Sequence, residues 1–137
     1  MQVSREFTFD AAHRITNHPG KCRSCHGHTW RVQVTVDGPV DSATGMVLDF
    51  YDLKRIGAAL FDERWDHAAL LASWDPLVSA CQKVGSRLEV FPWEPTSENL
   101  AQEIVRYFRD LLPPAVRLAR VQVWETPNCS AAVCLEG

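Results

Sequence analysis

The sequence predicts an α+β fold, a four-stranded antiparallel sheet that carries two helices on one face, in the order ββααββ. Two stretches near the start alternate apolar and polar residues, which is the period of a half-buried strand. A later stretch repeats apolar residues at helical spacing, and two more alternating stretches follow it. With 137 residues and 46% apolar composition, we expect one domain over residues 1–137 with a substantial core.

The first two strands are predicted at residues 4–12 and 27–37. The first alternates around Phe7 and Phe9, and the second ends at Gly38-Pro39. Because a loop of moderate length joins them, we expect the two strands to form an antiparallel pair.

Two helices are predicted next, the first over residues 50–63 with Asp49 as its cap. The second begins at residues 95–98, Pro-Thr-Ser-Glu, which supply a hydroxyl cap and an acidic first turn. Pro113 stops this helix. Its apolar stripe comprises Leu100, Ile104, Phe108 and Leu111.

The last two strands are predicted at residues 118–125 and 130–135, separated by a turn at Pro127-Asn128. Residues 72–94 are expected to be irregular apart from a short helix from Asp75 to about Lys83. A four-stranded sheet of this kind has two open edges and one bare face, so we expect a homo-oligomer.

The composition excludes several classes of function. A net charge of −3 and the lack of a dense basic run argue against nucleic acid as a partner. We see no signal peptide and no run of about 18 apolar residues, so we expect a cytoplasmic protein without a membrane span. Five cysteines in a cytoplasmic chain favour catalysis or metal binding over disulfides.

Residues 21–28 contain two cysteines and two histidines, and His13 lies upstream. His26 and His28 are two apart at the start of a predicted strand, so their side chains leave the same face. A third imidazole from a neighbouring strand, His13, would complete a site for one ion. Three imidazoles with an open fourth position are typical of catalytic zinc.

Residues 21–28 also permit two interpretations other than catalytic zinc, namely haem attachment and a structural zinc site. Residues 22–26, Cys-Arg-Ser-Cys-His, match the attachment pattern of c-type haem, but such haems belong to exported proteins. A structural zinc site could use Cys22, Cys25, His26 and His28, but closed sites usually combine two separated ligand pairs. In the catalytic interpretation, Cys22 remains free to act as a base or nucleophile.

Two further sites remain open on the residues alone. Asp66-His67 is either a feature of a helix end or a histidine oriented by a carboxylate, which could ionise a thiol. Glu125 continues the apolar row of Val121 and Val123, either as a frayed strand end or as a ligand anchor.

Six segments together resemble the 6-pyruvoyltetrahydropterin synthase superfamily, and they are most similar to its 6-carboxytetrahydropterin synthase branch. The segments are Phe9 to His13, the block from Cys22 to His28, Met46 to Lys54, Asp66-His67, Pro95 to Ala101 and Trp124 to Thr126. A cysteine four residues before the first histidine of His-Gly-His resembles the carboxytetrahydropterin branch.

The resemblance implies the tunnelling fold (T-fold), in which subunits assemble side by side into barrels, commonly as hexamers with active sites at subunit boundaries. It implies a zinc-dependent lyase that converts 7,8-dihydroneopterin triphosphate to 6-carboxy-5,6,7,8-tetrahydropterin, a step toward queuosine and other 7-deazapurines. The implied zinc ligands are His13, His26 and His28. The implied catalytic triad is Cys22, Asp66 and His67. The implied pterin contacts are Glu125, Thr96 and Ser97.

Some residues depart from the pattern of the superfamily. Cys25 has no counterpart in its motifs, Leu71 replaces a common asparagine, and the stretch between His67 and Pro95 is long. The alternative activity is 6-pyruvoyltetrahydropterin synthesis. An alternative of another class is a non-catalytic zinc-binding interaction module, which predicts that Cys22 and Cys25 both bind the metal.

Overall fold

Six strands form one mixed sheet in the computed structural model, which describes residues 1–136. The strands are β1 (Gln2–His13), β2 (His26–Asp37), β3 (Ala69–Ala72), β4 (Leu88–Phe91), β5 (Arg117–Thr126) and β6 (Cys129–Cys134). The helices are α1 (Phe50–Leu60), α2 (Leu77–Val84) and α3 (Ser97–Arg109). The strand order across the sheet is β4-β3-β1-β2-β5-β6.

The four strands expected from the sequence are present and antiparallel. β1 pairs with β2 over its whole length, β2 pairs with β5, and β5 pairs with β6. In the β1–β2 register, His13 lies opposite His26, and Ala11 lies opposite His28. This register brings the upstream histidine beside the His-x-His pair.

The expectation of a sheet with only four antiparallel strands is wrong, and the helices number three instead of two. β3 and β4 extend the sheet as parallel strands beyond β1. The helix that connects them, α2, confirms the short helix expected from Asp75 to about Lys83. Each of these strands has four residues, and Leu70, Leu71 and Ala72 in β3 are all buried. A strand buried on both faces has no alternation, and four residues are too few to reveal a period.

Helices α1 and α3 begin at the positions that their predicted capping residues indicated. The Asp49 carboxylate accepts a hydrogen bond from the Tyr51 amide at 2.9 Å, and the Thr96 hydroxyl accepts one from the Asn99 amide at 3.2 Å. α1 continues into a π-helical turn at Phe61–Trp65 instead of extending to residue 63 as a regular helix. This turn brings the chain to Asp66.

α1 packs on β1, and α3 packs on β5 and β6. A Cβ on Gly57 of α1 would lie 2.3 Å from the Phe7 ring, so only glycine lets the helix approach this closely. The core runs along this face of the sheet through Phe9 and Trp30 and ends at His13, which is 1% exposed. In the part of the chain that the structure describes, the helices are all too short or too polar to cross a membrane.

Candidate metal and catalytic site

Three imidazole rings converge at the end of the core. His13, His26 and His28 lie on the face of β1 and β2 that also carries Trp30. Their ring centroids are 4.7 to 5.1 Å apart, and one ligand atom from each ring lies within 4.8 Å of the other two. The expected meeting of these residues is confirmed, and the cluster could hold a metal ion.

Backbone carbonyls orient two of the rings. Nδ1 of His13 lies 2.8 Å from the Pro95 carbonyl oxygen, and Nδ1 of His26 lies 2.6 Å from that of Ser24. Because a carbonyl oxygen can only accept, each Nδ1 carries the proton and each Nε2 keeps its lone pair. A hydrogen bond of this kind behind a ring is typical of metal-binding histidines.

Two ring nitrogens in the cluster are buried without a hydrogen-bond partner among residues 1–136, Nε2 of His13 and Nε2 of His28. Oε1 of Glu125 lies 3.3 Å from the first and 3.8 Å from the second, but without hydrogen-bond geometry. Burying a lone pair with no partner costs about 1–3 kcal/mol, which a bound cation would offset. The donor set therefore fits a metal ion that favours imidazole.

Burial keeps two of these rings neutral. Removal from water lowers the pKa of His13, and the hydrogen bond to Pro95 and the Glu125 carboxylate oppose this only in part. Burial also lowers the pKa of His28. Since a protonated imidazole cannot bind a metal, lowered pKa values keep the ligand atoms available near neutral pH.

We expect the metal-free chain to lose stability as the pH falls from 7.5 to 5.5. The unfolded ring of His13 takes up a proton near its ordinary pKa of 6.5, whereas the buried ring resists protonation. The stability that the neutral, buried ring of His13 contributes is therefore complete above pH 6.5. This stability is lost as the pH falls through the lower pKa of the folded state, by at most about 1.4 kcal/mol per pH unit for one ring. Urea unfolding in chelator measures this slope. His13→Gln should flatten it, so an unchanged slope in that variant would contradict the assignment.

Glu125 lies near the end of β5, on the same face as the buried Val121 and Val123. An irregularity in the β5–β6 ladder falls between Trp124 and Thr126, and such a bulge re-aims the side chain at that point. The carboxylate faces the histidines and lines a cleft of about 430 Å³ together with His28. The carboxylate is therefore directed toward the histidine cluster, and its role as a ligand anchor stays a prediction.

Cys22 lies in a short 3₁₀ turn, Lys21–Arg23, in the loop between β1 and β2. The loop folds back on itself through a hydrogen bond from the Ile15 amide to the Cys22 carbonyl at 2.8 Å. Cys22 is partly buried, and all five cysteines are free. Among residues 1–136, the only cluster of metal-ligand atoms is that of the three histidines, and it includes neither Cys22 nor Cys25.

Asp66 and His67 form a dyad. Nδ1 of His67 lies 2.7 Å from Oδ2 of Asp66, whose other oxygen accepts the Asp10 amide at 2.9 Å. The Asp10 amide lowers the pKa of Asp66 more than His67 does. The His67 backbone adopts a positive φ of 61°, and its side chain is 77% exposed.

Cys22 makes no hydrogen bond to Asp66 or His67 within the described part of the chain. His67 lines a cleft of about 600 Å³ that Cys25 and Cys81 also border, whereas Cys22 does not line it. The grouping of Cys22, Asp66 and His67 in one triad stays a prediction.

Thr96 and Ser97 have local partners. The Thr96 hydroxyl caps α3, and the Ser97 hydroxyl donates to Oε1 of Glu98 at 2.8 Å. Neither residue lines the cleft that Glu125 borders. Pro95, just before them, is tied to the cluster through its carbonyl contact with His13.

Two long-range contacts that no sequence pattern predicts hold the loop that contains Cys22. Arg14 donates to the buried Asp75 carboxylate at 2.7 Å and also to the Arg23 carbonyl at 3.4 Å. The Glu94 carboxylate accepts hydrogen bonds from the amide and the hydroxyl of Thr16. Both carboxylates come from the segment expected to be irregular, and no local pattern reveals a partner 61 or 78 residues away.

The fold and the histidine cluster can now be compared with known proteins. The family model described as 6-pyruvoyl tetrahydropterin synthase matches residues 2–135. The chain belongs to this family.

Relatives with assigned names support the same placement. A 6-carboxy-5,6,7,8-tetrahydropterin synthase of Haemophilus influenzae is 31% identical over 134 residues, which cover 93% of this chain and 94% of that protein. A putative enzyme of the same name from Archaeoglobus fulgidus is 35% identical over 128 residues, 93% of this chain and 90% of that one. These relatives are named synthases, and the chain is accordingly an enzyme of this family.

The structural comparison supports the tunnelling fold. The 6-pyruvoyl tetrahydropterin synthase of Caenorhabditis elegans superimposes with a TM-score of 0.76 at 26% identity, covering 99% of this chain and 96% of that one. The T-fold expected from the sequence motifs is confirmed for the subunit, with the correction that its sheet has six strands.

Proposed function

We propose that the protein is a zinc-dependent 6-carboxy-5,6,7,8-tetrahydropterin synthase that acts on 7,8-dihydroneopterin triphosphate. The observation that carries the proposal is the convergence of three imidazoles, two with unpartnered buried Nε2 atoms, beside the Glu125 carboxylate. The names of the relatives support the choice of reaction. The step would lie on a route toward queuosine and other 7-deazapurines, in the cytoplasm, where the five thiols stay reduced.

His13, His26 and His28 hold the zinc ion in this proposal. Neutral imidazole is a preferred zinc ligand, and three such ligands leave the fourth position for substrate. When bound, zinc supplies a Lewis acid that polarises a side-chain oxygen of the substrate and so acidifies the adjacent carbon. The backbone carbonyls behind His13 and His26 keep the rings aimed at the ion.

Glu125 anchors the pterin ring. A carboxylate accepts hydrogen bonds only, so it can receive both the 2-amino group and a ring N–H of the pterin. Thr96 and Ser97 support this contact chiefly through backbone groups, because the Thr96 hydroxyl already caps α3. With the ring fixed in this way, the side chain of the substrate lies in a defined register to the histidines.

Cys22 acts as the base that takes a proton from the substrate side chain, and His67, oriented by Asp66, receives or returns the proton. Because Cys22 makes no hydrogen bond to the dyad among the described residues and does not line the cleft beside His67, we propose that Asp66 and His67 act in the site of a neighbouring subunit. The protein would then be a homo-oligomer, a hexamer in keeping with its resemblance to the superfamily. Active sites at subunit boundaries would explain why His67 is so exposed in the single subunit.

The reaction needs no redox cofactor, because the oxidation of the side chain and the reduction of the ring balance within the substrate. Proton removal by Cys22 builds negative charge beside the triphosphate, which then leaves with its bonding electrons. Protons return to the pterin ring. Water then adds as the bond between the first and second side-chain carbons breaks, which leaves the first carbon on the ring as the carboxylate and releases the other two as acetaldehyde.

We expect zinc-loaded protein to convert 7,8-dihydroneopterin triphosphate to 6-carboxy-5,6,7,8-tetrahydropterin, identified by the mass of the product. The control is the same reaction with metal-stripped protein, which should give no product. A mass corresponding to 6-pyruvoyltetrahydropterin would favour the alternative activity within the family. Unchanged substrate would contradict both reactions.

The non-catalytic zinc module receives less support from the structure. It requires Cys22 and Cys25 as ligands, whereas the ligand cluster among the described residues consists of histidines. It also predicts that bound zinc protects both thiols from alkylation.

A further inference from the structure

A second feature of the cleft beside Glu125 is its charge. The cleft of about 430 Å³ is bordered by His28 and Glu125 and also by Arg31 and Trp124, which lie on the opposite face of the sheet. It therefore joins the proposed metal and pterin site to a guanidinium group. The substrate of the proposed reaction carries a triphosphate that needs a cationic partner.

Arg31 is the one arginine or lysine, among residues 1–136, that lines this cleft or the neighbouring cleft beside His67. Arg14 lies close by but is committed to the buried Asp75 carboxylate at 2.7 Å, and Asp75 has no exposed side-chain surface. Neither Lys21 nor Arg23 borders either cleft. Within one subunit, an anion that enters either cleft therefore meets Arg31 and no other arginine or lysine of the described residues.

The Arg31 side chain is held in place by its neighbour across the strands. Arg31 of β2 pairs with Trp124 of β5, and its guanidinium carbon lies 3.8 Å from the centroid of the indole ring. Such stacking uses the face of the guanidinium and leaves its edge of N–H donors open. A preorganised arginine edge is well suited to a phosphate because it can donate two parallel hydrogen bonds.

The existing partner of Arg31 is weak and displaceable. Nη1 donates to Glu6 at 3.1 Å, while Nε and Nη2 donate to no acceptor in the described chain. The two side chains are 39% and 48% exposed. Exposed ion pairs of this kind contribute about 0–1 kcal/mol, so a triphosphate could replace Glu6 at little cost.

We propose that Arg31, stacked on Trp124, binds the triphosphate of the substrate and thereby selects phosphorylated pterins. The inference rests on the proposed function and adds a specificity-determining residue to it. Glu125 and Arg31 then form two ends of one cleft, an anion for the pterin N–H groups and a cation for the phosphates. The outer phosphates lie away from the bond that breaks, so a contact with them is nearly the same before and during the reaction. It should therefore govern KM and leave kcat nearly unchanged.

The test compares Arg31→Met and Arg31→Lys with a matched control, Arg117→Met. Arg117 is also a half-exposed arginine in a cross-strand ion pair, with Asp37 at 2.6 Å, but it lies at the other end of the sheet. For Arg31→Met we expect KM for 7,8-dihydroneopterin triphosphate to rise about tenfold to a hundredfold, with kcat within about threefold of the unaltered protein. The KM of Arg31→Lys should lie between those of Arg31→Met and the unaltered protein, because lysine keeps the charge without the planar edge. The KM of Arg117→Met should match that of the unaltered protein.

Two binding measurements separate this inference from the proposed function. Inorganic triphosphate should bind the unaltered protein and bind Arg31→Met at least tenfold more weakly, whereas 7,8-dihydroneopterin without phosphates should bind both equally. A loss of affinity shared by both ligands, or unchanged triphosphate affinity in Arg31→Met, would overturn the role of Arg31. If the unaltered protein fails to turn over the substrate, the proposed function fails while the triphosphate measurement still decides the inference. Should Arg31→Met fold poorly by its melting temperature, Arg31→Lys provides the same comparison.

Discussion

Replacing Cys22 with alanine is expected to abolish turnover of 7,8-dihydroneopterin triphosphate while leaving the metal content unchanged. The thiol is the proposed base, and removing a positioned base costs about a hundredfold to ten-thousandfold in rate. The metal should remain because the ligand-atom cluster consists of His13, His26 and His28. Steady-state kinetics and elemental analysis of the same sample measure both quantities.

The matched control for this prediction is Cys25→Ala. Cys25 lies three residues further along the same loop and has no proposed role, so this variant should keep near-normal turnover. Near-normal turnover by Cys22→Ala would remove the thiol from the mechanism. Equal losses in both variants would indicate that the loop, and not one thiol, is needed.

The reactivity of Cys22 provides a second measurement of its role. In the zinc-loaded protein, iodoacetamide should still alkylate Cys22, because the sulfur is not a ligand in the proposed site. Protection of both Cys22 and Cys25 by zinc would instead favour the non-catalytic module. Mass spectrometry of the peptides distinguishes the two outcomes.

Replacing His28 with alanine is expected to empty the metal site and, with it, to abolish turnover. His28 is one of three converging ligands, and its Nε2 has no hydrogen-bond partner among the described residues that would explain its burial. Loss of a ligand should weaken zinc binding by more than the roughly tenfold to hundredfold cost of changing an outer partner. Elemental analysis after dialysis should show metal near one ion per chain in the unaltered protein and close to none in the variant.

The control for this experiment is His18→Ala. His18 belongs to the same loop region, but its Nδ1 accepts a hydrogen bond from the Gly20 amide at 2.9 Å and it lies outside the cluster. This variant should retain the metal. Full zinc content in His28→Ala would contradict the assignment of the ligands.

Local signals explain what could be predicted of the fold. The two long helices were found because their caps, Asp49 and Thr96, and their apolar stripes lie within a few residues of each other. The four long strands were found because each buries one face and so alternates. The strands β3 and β4 were not predicted because parallel pairing depends on residues far apart in the chain, and because strands of four residues are too short to show a period.

In the candidate site, too, local spacing predicted some features and long-range contacts set the others. The spacing of His26 and His28 on a strand predicted one shared direction, and the β1–β2 register then supplied His13. The contacts of Asp75 and Glu94 with the Cys22 loop, and the stacking of Arg31 on Trp124, join residues at least 61 apart. Such pairs cannot be predicted from one sequence, because the sequence does not show which arginine meets which carboxylate or aromatic ring.

By itself, the sequence determined the family and most of the secondary structure and predicted the histidine cluster, since these depend on residue type and on spacing within a strand or helix. Only the tertiary structure decided that the sheet has six strands, that Glu125 turns toward the histidines, and that His67 lines a cleft with Cys25 and Cys81. The physical reason is the distance along the chain over which each interaction acts. Periodicity and capping act over a few residues, whereas sheet order, bulges and side-chain contacts are set by the packing of the whole chain.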